Sequence, residues 1–146
     1  CPRGGKDLDL TYSAGVWSCP RPFEEACMTP KDSKYASIYD SFTITVLMQL
    51  EDLGFCKKGE GGKFVSDGNL ISGVGKLPFN TDGGGLCSNH PVNRGGMTKI
   101  LEAVRQLRGE AHPKVQVPNC DLAIAHGTGG LLGVRHAAST CILERV

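Results

Sequence analysis

The chain has 146 residues, with 16 Lys and Arg against 15 Asp and Glu, so its formal net charge is only +1. This balance provides no field to attract nucleic acid or an anionic membrane, and no nucleic-acid partner is expected. At 40% hydrophobic and 21% charged residues, the composition is that of one soluble globular domain over residues 1–146. The best apolar run, Phe42 to Leu50, is too short to span a membrane.

Cysteine usage indicates the compartment. The seven cysteines are an odd number at wide, irregular spacings, which argues against a disulfide framework. We therefore predict a reducing, cytoplasmic location. The chain opens at Cys1 without a methionine, and we expect it to be a fragment of a longer protein.

Helical periodicity recurs in three segments of the chain. In the middle one, Asp40 or Ser41 is the expected N-cap and Gly54 follows the last turn. The last one ends with basic residues and is closed by Gly109, as suits a helix C-terminus. The three predicted helices cover Arg21–Met28, Phe42–Leu53 and Met97–Leu107.

Short runs rich in β-forming residues predict the strands, and two more runs around Ser66-Asp67-Gly68-Asn69 predict a small hairpin. The alternation of helices and strands is typical of an α/β fold, with a mixed sheet covered by helices. The predicted strands are Tyr35–Tyr39, Asp121–Ala125 and Ser139–Glu144, and the hairpin pairs Lys63–Val65 with Leu70–Ile71.

Polar residues follow two of these strands, where open α/β sheets bind ligands. Tyr39 ends the first strand, and His126 follows the second at the start of a glycine run. His90 precedes the last predicted helix, whose N-terminus favours a neutral imidazole that can exchange a proton. Plainer interpretations stay open: Tyr39 as an ordinary strand residue, Ser41 as a helix cap and His126 as a structural hydrogen-bonding group.

Other chemistry is disfavoured by the motifs. The glycine runs match neither the dinucleotide fingerprint nor the nucleotide-triphosphate loop. Zinc is disfavoured because one strand separates Cys120 from His126 by roughly 20 Å. Cys87 and His90 could form a nucleophile and base, but the sequence supplies no third group to orient them.

Three segments, in this order, resemble the C-terminal half of the thiolase superfamily. The similarity is greatest to the sterol-carrier-protein-X-type thiolases, also labelled lipid-transfer proteins or acetyl-CoA acetyltransferases. It extends over Leu50–Cys56 and Glu102–Gly109 and so covers nearly the whole chain. The segments are Tyr39-Asp40-Ser41-Phe42, Asn80-Thr81-Asp82-Gly83-Gly84 leading to His90-Pro91, and His126-Gly127-Thr128-Gly129-Gly130.

The resemblance implies a layered thiolase fold and a CoA thioester as substrate, with no tightly bound cofactor. The spacing of the cysteines and histidines separately predicts no metal site. The family's Gly-His-Pro histidine matches His90, although Asn89 replaces the glycine. In the family this histidine helps to activate the nucleophile and donates to the thioester oxygen. Substrate contacts are expected from Ser41, Asn80, Gly84, Gly127 and Gly129.

Two positions depart from the family pattern. Tyr39 and Ser41 stand where the sterol-carrier branch has a histidine and its acid/base cysteine. His126 matches the late Cys-x-Gly motif, so only His126 or Tyr39 could supply the acid/base group. We expect His126 to be the proton shuttle and Tyr39 to orient the substrate or act as an acid. A related branch has a tyrosine at the position of Tyr39 and cleaves steroid-side-chain CoA thioesters by a retro-aldol reaction, with a small OB-fold partner.

The resemblance therefore leaves three functions open: a thiolase-like acyltransferase, a noncatalytic binding or transfer protein for acyl-CoA or sterol-like lipid, and a retro-aldolase. The nucleophilic cysteine and much of the CoA grip belong to an N-terminal half that this chain lacks, so the fragment alone is expected to be inactive. The full-length protein is expected to be a homodimer. Without the other half, the helices Phe42–Leu53 or Met97–Leu107 should leave an apolar face uncovered.

Overall fold

The computed structural model describes residues 9–72, 75–91, 94–130 and 136–146. The three strands β1 (Tyr35–Ile38), β2 (Leu122–Gly129) and β3 (Ala137–Glu144) form one sheet in the order β1-β2-β3, with β1 parallel to β2 and β2 antiparallel to β3. The predicted α/β fold with a mixed sheet covered by helices is confirmed. The elements are α1 (Gly15–Ser18), α2 (Pro20–Ala26), a 3-10 turn (Pro30–Asp32), β1 (Tyr35–Ile38), α3 (Thr43–Asp52), α4 (Gly61–Ser66), α5 (Gly84–Cys87), α6 (Gly95–Arg108), β2 (Leu122–Gly129) and β3 (Ala137–Glu144).

Side-chain alternation along the strands builds one apolar core on each face of the sheet. Ile38 and Ile124 point to the face covered by α2 and α3, whereas Tyr35 and Ala123 point to the face covered by α6. The first core contains Cys19, Phe23, Ala36, Ile38, Val46, Leu50, Leu53, Leu77 and Ile124. The second contains Tyr35, Ala103, Leu107, Val117, Cys120, Ala123 and Ala125.

The three predicted helices and three predicted strands are all present, with one important change of boundary. The strand predicted to end at Ala125 runs to Gly129, where it pairs with Ala137 of β3. Pairing over this whole length draws the glycine run into the sheet. His126 is therefore an interior strand residue and does not lie in the loop after the strand.

The predicted hairpin is wrong. Residues 61–66 form the short helix α4, and no strand includes residues 70 and 71. The cause is tertiary, because the Glu51 carboxylate of α3 accepts the N–H of Gly61 at 2.9 Å and supports a helix start there. Phe64 then packs against the first core as a helical residue.

The N-cap prediction for α3 is also wrong. The cap position is Phe42, whose N–H donates to the hydroxyl of Thr45 at 3.1 Å. Asp40 is turned toward α5, where its carboxylate accepts two backbone N–H groups. The helix ends are as predicted: Gly54 and Gly109 both have positive φ, +82° and +72°, which glycine adopts without strain.

Asn80 extends the sheet beyond β1. Its backbone N–H donates to Ala36 at 3.0 Å, and its side-chain amide accepts the N–H of Ile38 and donates to the Ile38 carbonyl, both at 2.8 Å. Asn80 has a left-handed φ of +42°, a conformation that asparagine tolerates better than most residues. The side chain thus takes the place of a neighbouring strand at the edge of β1.

Several apolar side chains remain uncovered on the helices. Ile44 of α3, and Met97 and Leu101 of α6, are each more than half exposed, as the sequence predicted for this piece alone. Within the described ranges, no helix has the length and apolar character needed to cross a membrane.

We expect Asn80→Ala to lower the free energy of unfolding by about 2–3 kcal/mol, because it leaves the Ile38 N–H and carbonyl buried without partners. Urea unfolding followed by circular dichroism measures the change. Asn69→Ala is the matched comparison, since its amide makes one such bond, to the Phe64 carbonyl at 2.8 Å. An Asn80 variant no less stable than the Asn69 variant would refute the edge role.

Candidate functional site

Tyr39 and His90, two of the predicted catalytic residues, are in direct contact. The Tyr39 hydroxyl lies 2.8 Å from Nδ1 of His90, and the two rings meet edge-on with centroids 5.4 Å apart. Tyr39 is buried, whereas His90 is exposed and can be reached from outside the chain. The His90 imidazole is therefore accessible to a ligand, and the buried Tyr39 hydroxyl contacts the imidazole from the interior of the protein.

The structure fixes Tyr39 through its ring and its backbone. The ring lies against Gly95 at the start of α6, so close that an added Cβ there would overlap it. Its backbone N–H donates to the His126 carbonyl at 2.9 Å, and its carbonyl accepts the Gln49 side-chain amide at 2.8 Å. Gln49 is a positioning residue that the sequence analysis missed. The sequence pattern that could have indicated this role is a polar glutamine on the apolar face of the predicted helix Phe42–Leu53.

Asp40 points away from Tyr39 and holds the start of α5. Its carboxylate is buried and accepts the backbone N–H groups of Gly85 at 2.6 Å and Leu86 at 3.2 Å. Gly84 lies so close to this carboxylate that a Cβ would overlap it, and its φ is +60°. Since α5 leads directly to His90, Asp40 couples the end of β1 to the segment that carries the imidazole.

A second anchor ties the preceding turn to α6. The Thr81 hydroxyl donates to Glu102 at 2.6 Å and accepts the Gln106 side-chain amide at 2.8 Å. The hydroxyl of Tyr35 accepts the Thr81 backbone N–H at 3.3 Å. These bonds hold the 80–83 turn on the same face of the sheet as Tyr39.

His126, the third predicted catalytic residue, lies on the opposite face of the sheet. It is 1% exposed and pairs in register with Ile38, whose side chain belongs to the first core. Nδ1 of His126 lies 2.8 Å from the Thr140 hydroxyl, and Cε1 lies beside Gly15 of α1. Burial lowers the pKa of His126 to about 4, while the charge of Asp52 raises it less. The structure does not bring His126 to the Tyr39–His90 pair.

Gly127, the next residue along β2, faces the side of the sheet that carries the Tyr39 ring, whereas His126 faces the first core. A Cβ on Gly127 would lie 3.8 Å from the Cα of Gly96, and one on Gly129 would meet nothing within 4 Å among the described residues. Among the residues that the structure describes, these two predicted substrate-binding glycines leave space along the end of β2. Ser41, half-buried, lies with its hydroxyl 3.4 Å from that of Thr45.

The other two predicted substrate contacts, Asn80 and Gly84, have structural roles in this arrangement. Both groups of the Asn80 amide are bonded to Ile38, and Gly84 makes room for Asp40. Their contact with a substrate stays a prediction. In the part of the chain that the structure describes, no three His, Cys, Asp or Glu side chains gather to hold a metal ion.

Residues 5–145 match the family described as "Thiolase C-terminal domain-like". The chain belongs to this thiolase family. It is 40% identical over 123 residues to the benzoylsuccinyl-CoA thiolase subunit BbsB of Thauera aromatica, covering 82% of this chain and 31% of that protein. It is 39% identical over 126 residues to an acetyl-CoA acetyltransferase of Methanothermobacter thermautotrophicus, covering 86% of this chain and 32% of that protein.

Among solved structures, the chain is similar to the Ltp2-ChsH2(DUF35) aldolase. The TM-score is 0.78 at 32% identity, and the match covers 98% of this chain and 37% of that one. The predicted thiolase fold is therefore confirmed. The thiolase-family chain spans about a third of the length of these relatives.

We expect Gly84→Ala to destabilise the protein by roughly 2 kcal/mol or more, because the new methyl group would meet the Asp40 carboxylate at a left-handed φ. Thermal unfolding measures the loss. Gly62→Ala in α4 is the matched control, since a Cβ there meets nothing within 4 Å. Equal stability of the two variants would contradict the close approach of Asp40.

The buried His126 predicts a pH-dependent loss of stability. Its pKa falls from 6.5 to about 4 on folding, so the unfolded chain binds the extra proton between these values. The protein should lose roughly 3 kcal/mol from this group as the pH falls from 6.5 to 4, and none of it above pH 6.5.

Urea unfolding at several pH values tests this loss. His126→Asn keeps a polar group near Thr140 and should remove this part of the pH dependence. His112→Gln, which replaces an exposed imidazole, is the control and should retain it. Parallel stability curves for the wild type and His126→Asn would show that His126 is not the group responsible.

Proposed function

We propose that this chain supplies the oxyanion donor and proton-transfer pair of an acyltransferase that makes or breaks a carbon–carbon bond beside a CoA thioester. The observation that carries the proposal is the 2.8 Å contact between the Tyr39 hydroxyl and Nδ1 of His90. Membership of the thiolase family and similarity to a CoA thiolase subunit and an acetyl-CoA acetyltransferase support it.

The contact sets the tautomer that the chemistry needs. When the Tyr39 hydroxyl donates to Nδ1, the neutral imidazole carries its proton on Nε2. That N–H on an exposed ring can donate to a thioester oxygen as negative charge develops during carbon–carbon bond making or breaking. Tyr39 thus orients the donor and His90 stabilises the oxyanion.

The glycines beside the pair offer room for the acyl thioester. Gly127 and Gly129 line the end of β2 on the face of the Tyr39 ring, where neither carries a side chain. The thioester would enter along this strip and place its carbonyl oxygen at His90. His126, facing the other core, takes no part in this arrangement.

The remaining machinery belongs to the rest of the protein. We expect a nucleophilic cysteine and most of the CoA grip from an N-terminal thiolase half, in a homodimer located in the cytoplasm. The six cysteines among the described residues are free. Burial raises the pKa of Cys19 to about 12 and that of Cys120 to about 11, so neither thiol suits the nucleophile's role.

A retro-aldol reaction is the second candidate, favoured by the position of Tyr39. Of the two predicted acid/base residues, Tyr39 contacts His90, whereas His126 lies on the other face of the sheet. The phenol could take the proton of a 3-hydroxyacyl-CoA hydroxyl while His90 accepts the phenol's own proton. The bond between C2 and C3 then breaks to a carbonyl product and a thioester enolate. The similarity to the Ltp2-ChsH2(DUF35) aldolase supports this alternative. For this function we also expect a small OB-fold partner, as the resemblance implies.

Kinetics of the complete protein test the proposal. His90→Ala should lower acylation by an acyl-CoA, followed as release of free CoA, about 10²–10³-fold, the usual loss for one oxyanion donor. Tyr39→Phe keeps the ring against Gly95 but loses the hydroxyl, and should lower kcat by a smaller factor with little change in KM. His112→Gln, at an exposed site, is the control.

Each outcome separates the candidate functions. Unchanged acylation in His90→Ala would remove this residue from the mechanism. Loss of 3-hydroxyacyl-CoA cleavage in Tyr39→Phe, without any acyl transfer in the wild type, would select the retro-aldolase. Saturable acyl-CoA or sterol binding with neither turnover nor a covalent adduct would instead identify a noncatalytic carrier and refute both enzyme functions.

A further inference from the structure

A buried lysine lies under the site without a hydrogen-bond partner among the described residues. Lys99 projects from α6 and is 1% exposed, and none of the described residues accepts a hydrogen bond from its Nζ. Removing an ammonium group from water is costly unless opposite charges lie close to it. Its neighbours are two carboxylates: Asp40 Oδ1 lies 3.7 Å from Nζ, and Asp82 Oδ1 lies 4.0 Å from it.

These two carboxylates hold the backbone at the start of α5. Asp40 accepts the N–H groups of Gly85 and Leu86, and Asp82 accepts that of Gly84 at 3.0 Å. All three N–H groups lie in the segment that leads to His90. Asp40 also directly follows Tyr39 in the chain. The ammonium of Lys99 therefore lies within 4.0 Å of both carboxylates. These carboxylates hold the segment that leads to His90, and one of them belongs to the residue after Tyr39.

We propose that Lys99 is a positioning residue for the Tyr39–His90 pair. Its ammonium neutralises Asp40 and Asp82 together, so both carboxylates can remain beside each other and keep the start of α5 in place. Lys99 does not contact substrate, because its side chain is enclosed. The inference rests on the proposed function for its effect on catalysis, but its effect on the pair is independent of any substrate.

The positive charge of Lys99 balances two negative charges in a site of low dielectric constant. Without Lys99, two negative groups would share a mostly buried site, and their repulsion would be stronger there than in water. Asp82 is the more accessible, with its side chain 16% exposed against 4% for Asp40, and it would turn toward solvent. The Gly84 N–H would then lose its acceptor, and His90 would lose its fixed distance to Tyr39.

The test compares Lys99→Met with Lys63→Met in the complete protein. Methionine keeps the length and apolar stem of Lys99 without its charge, and Lys63 is an exposed lysine of α4. The readout is the nitrogen NMR spectrum of the His90 ring, which reports the ratio of its two neutral tautomers. We expect one dominant tautomer in the wild type and in Lys63→Met, and a mixture in Lys99→Met.

Acyl-CoA turnover is the second readout. Lys99→Met should lower kcat by about tenfold to a hundredfold with KM changed less than about twofold, as expected for a displaced but intact group. An unchanged tautomer ratio in a folded Lys99→Met protein would overturn the proposal. If the wild type shows no turnover with any acyl-CoA, the proposed function fails, and the tautomer ratio still decides the role of Lys99.

A double variant covers the case in which Lys99→Met does not fold. Asp82→Asn removes one of the two charges and keeps an oxygen that can accept the Gly84 N–H. In the double variant Lys99→Met with Asp82→Asn, only the Asp40 charge remains and the repulsion is gone, so we expect this protein to fold and to recover the wild-type tautomer ratio. A folded double variant with a mixture of tautomers would overturn the charge-balance argument.

Discussion

The buried carboxylate of Asp40 is the constraint on which the site depends. At the carboxyl end of β1 the chain must turn, and its direction is set by the two backbone N–H groups that Asp40 accepts from Gly85 and Leu86. Such charge-assisted bonds are stronger than neutral ones, more so where water is absent. Because they reach across from β1 to α5, the residues on either side, Tyr39 and His90, come within one hydrogen bond of each other.

Close approach is the second requirement, and glycine meets it. Gly84 admits the Asp40 carboxylate and Gly95 admits the Tyr39 ring, where any side chain would collide. Gly127 serves differently, leaving the site face of β2 free beside the pair. The high glycine content, 20 of 146 residues, thus reflects space needed around one site as well as sharp turns.

The division between the two faces of the sheet explains the different environments of the two histidines. His90 stands on an exposed segment beside a phenol, and His126 lies in a core against Thr140. Strand alternation separates positions 126 and 127, so a one-residue change of register exchanges the face that carries the Tyr39 ring for the face of the first core. A histidine that stays neutral in an apolar core contributes to packing and to the pH dependence of stability.

The sequence by itself determined three of the six helices of the described residues, the three strands, and the polar residues Tyr39 and His90 as candidates for the site. Local periodicity and helix-ending glycines at 54 and 109 are short-range signals, and they were sufficient for those elements. The resemblance of the motif residues also identified the thiolase family correctly. Tyr39 and His90 were each predicted as catalytic residues, although nothing in the sequence placed their side chains in contact.

Only the tertiary structure decided which helix Asp40 holds, how far β2 extends and which face His126 occupies. Each of these depends on groups distant in the chain: the α5 amides, the pairing of β2 with β3, and the bond from Glu51 that made residues 61–66 a helix. The buried charge of Lys99 belongs with them, since its carboxylate partners come from two other segments. Long-range bonds outweigh local preference at these positions because a buried polar group left without a partner costs more than a propensity gains.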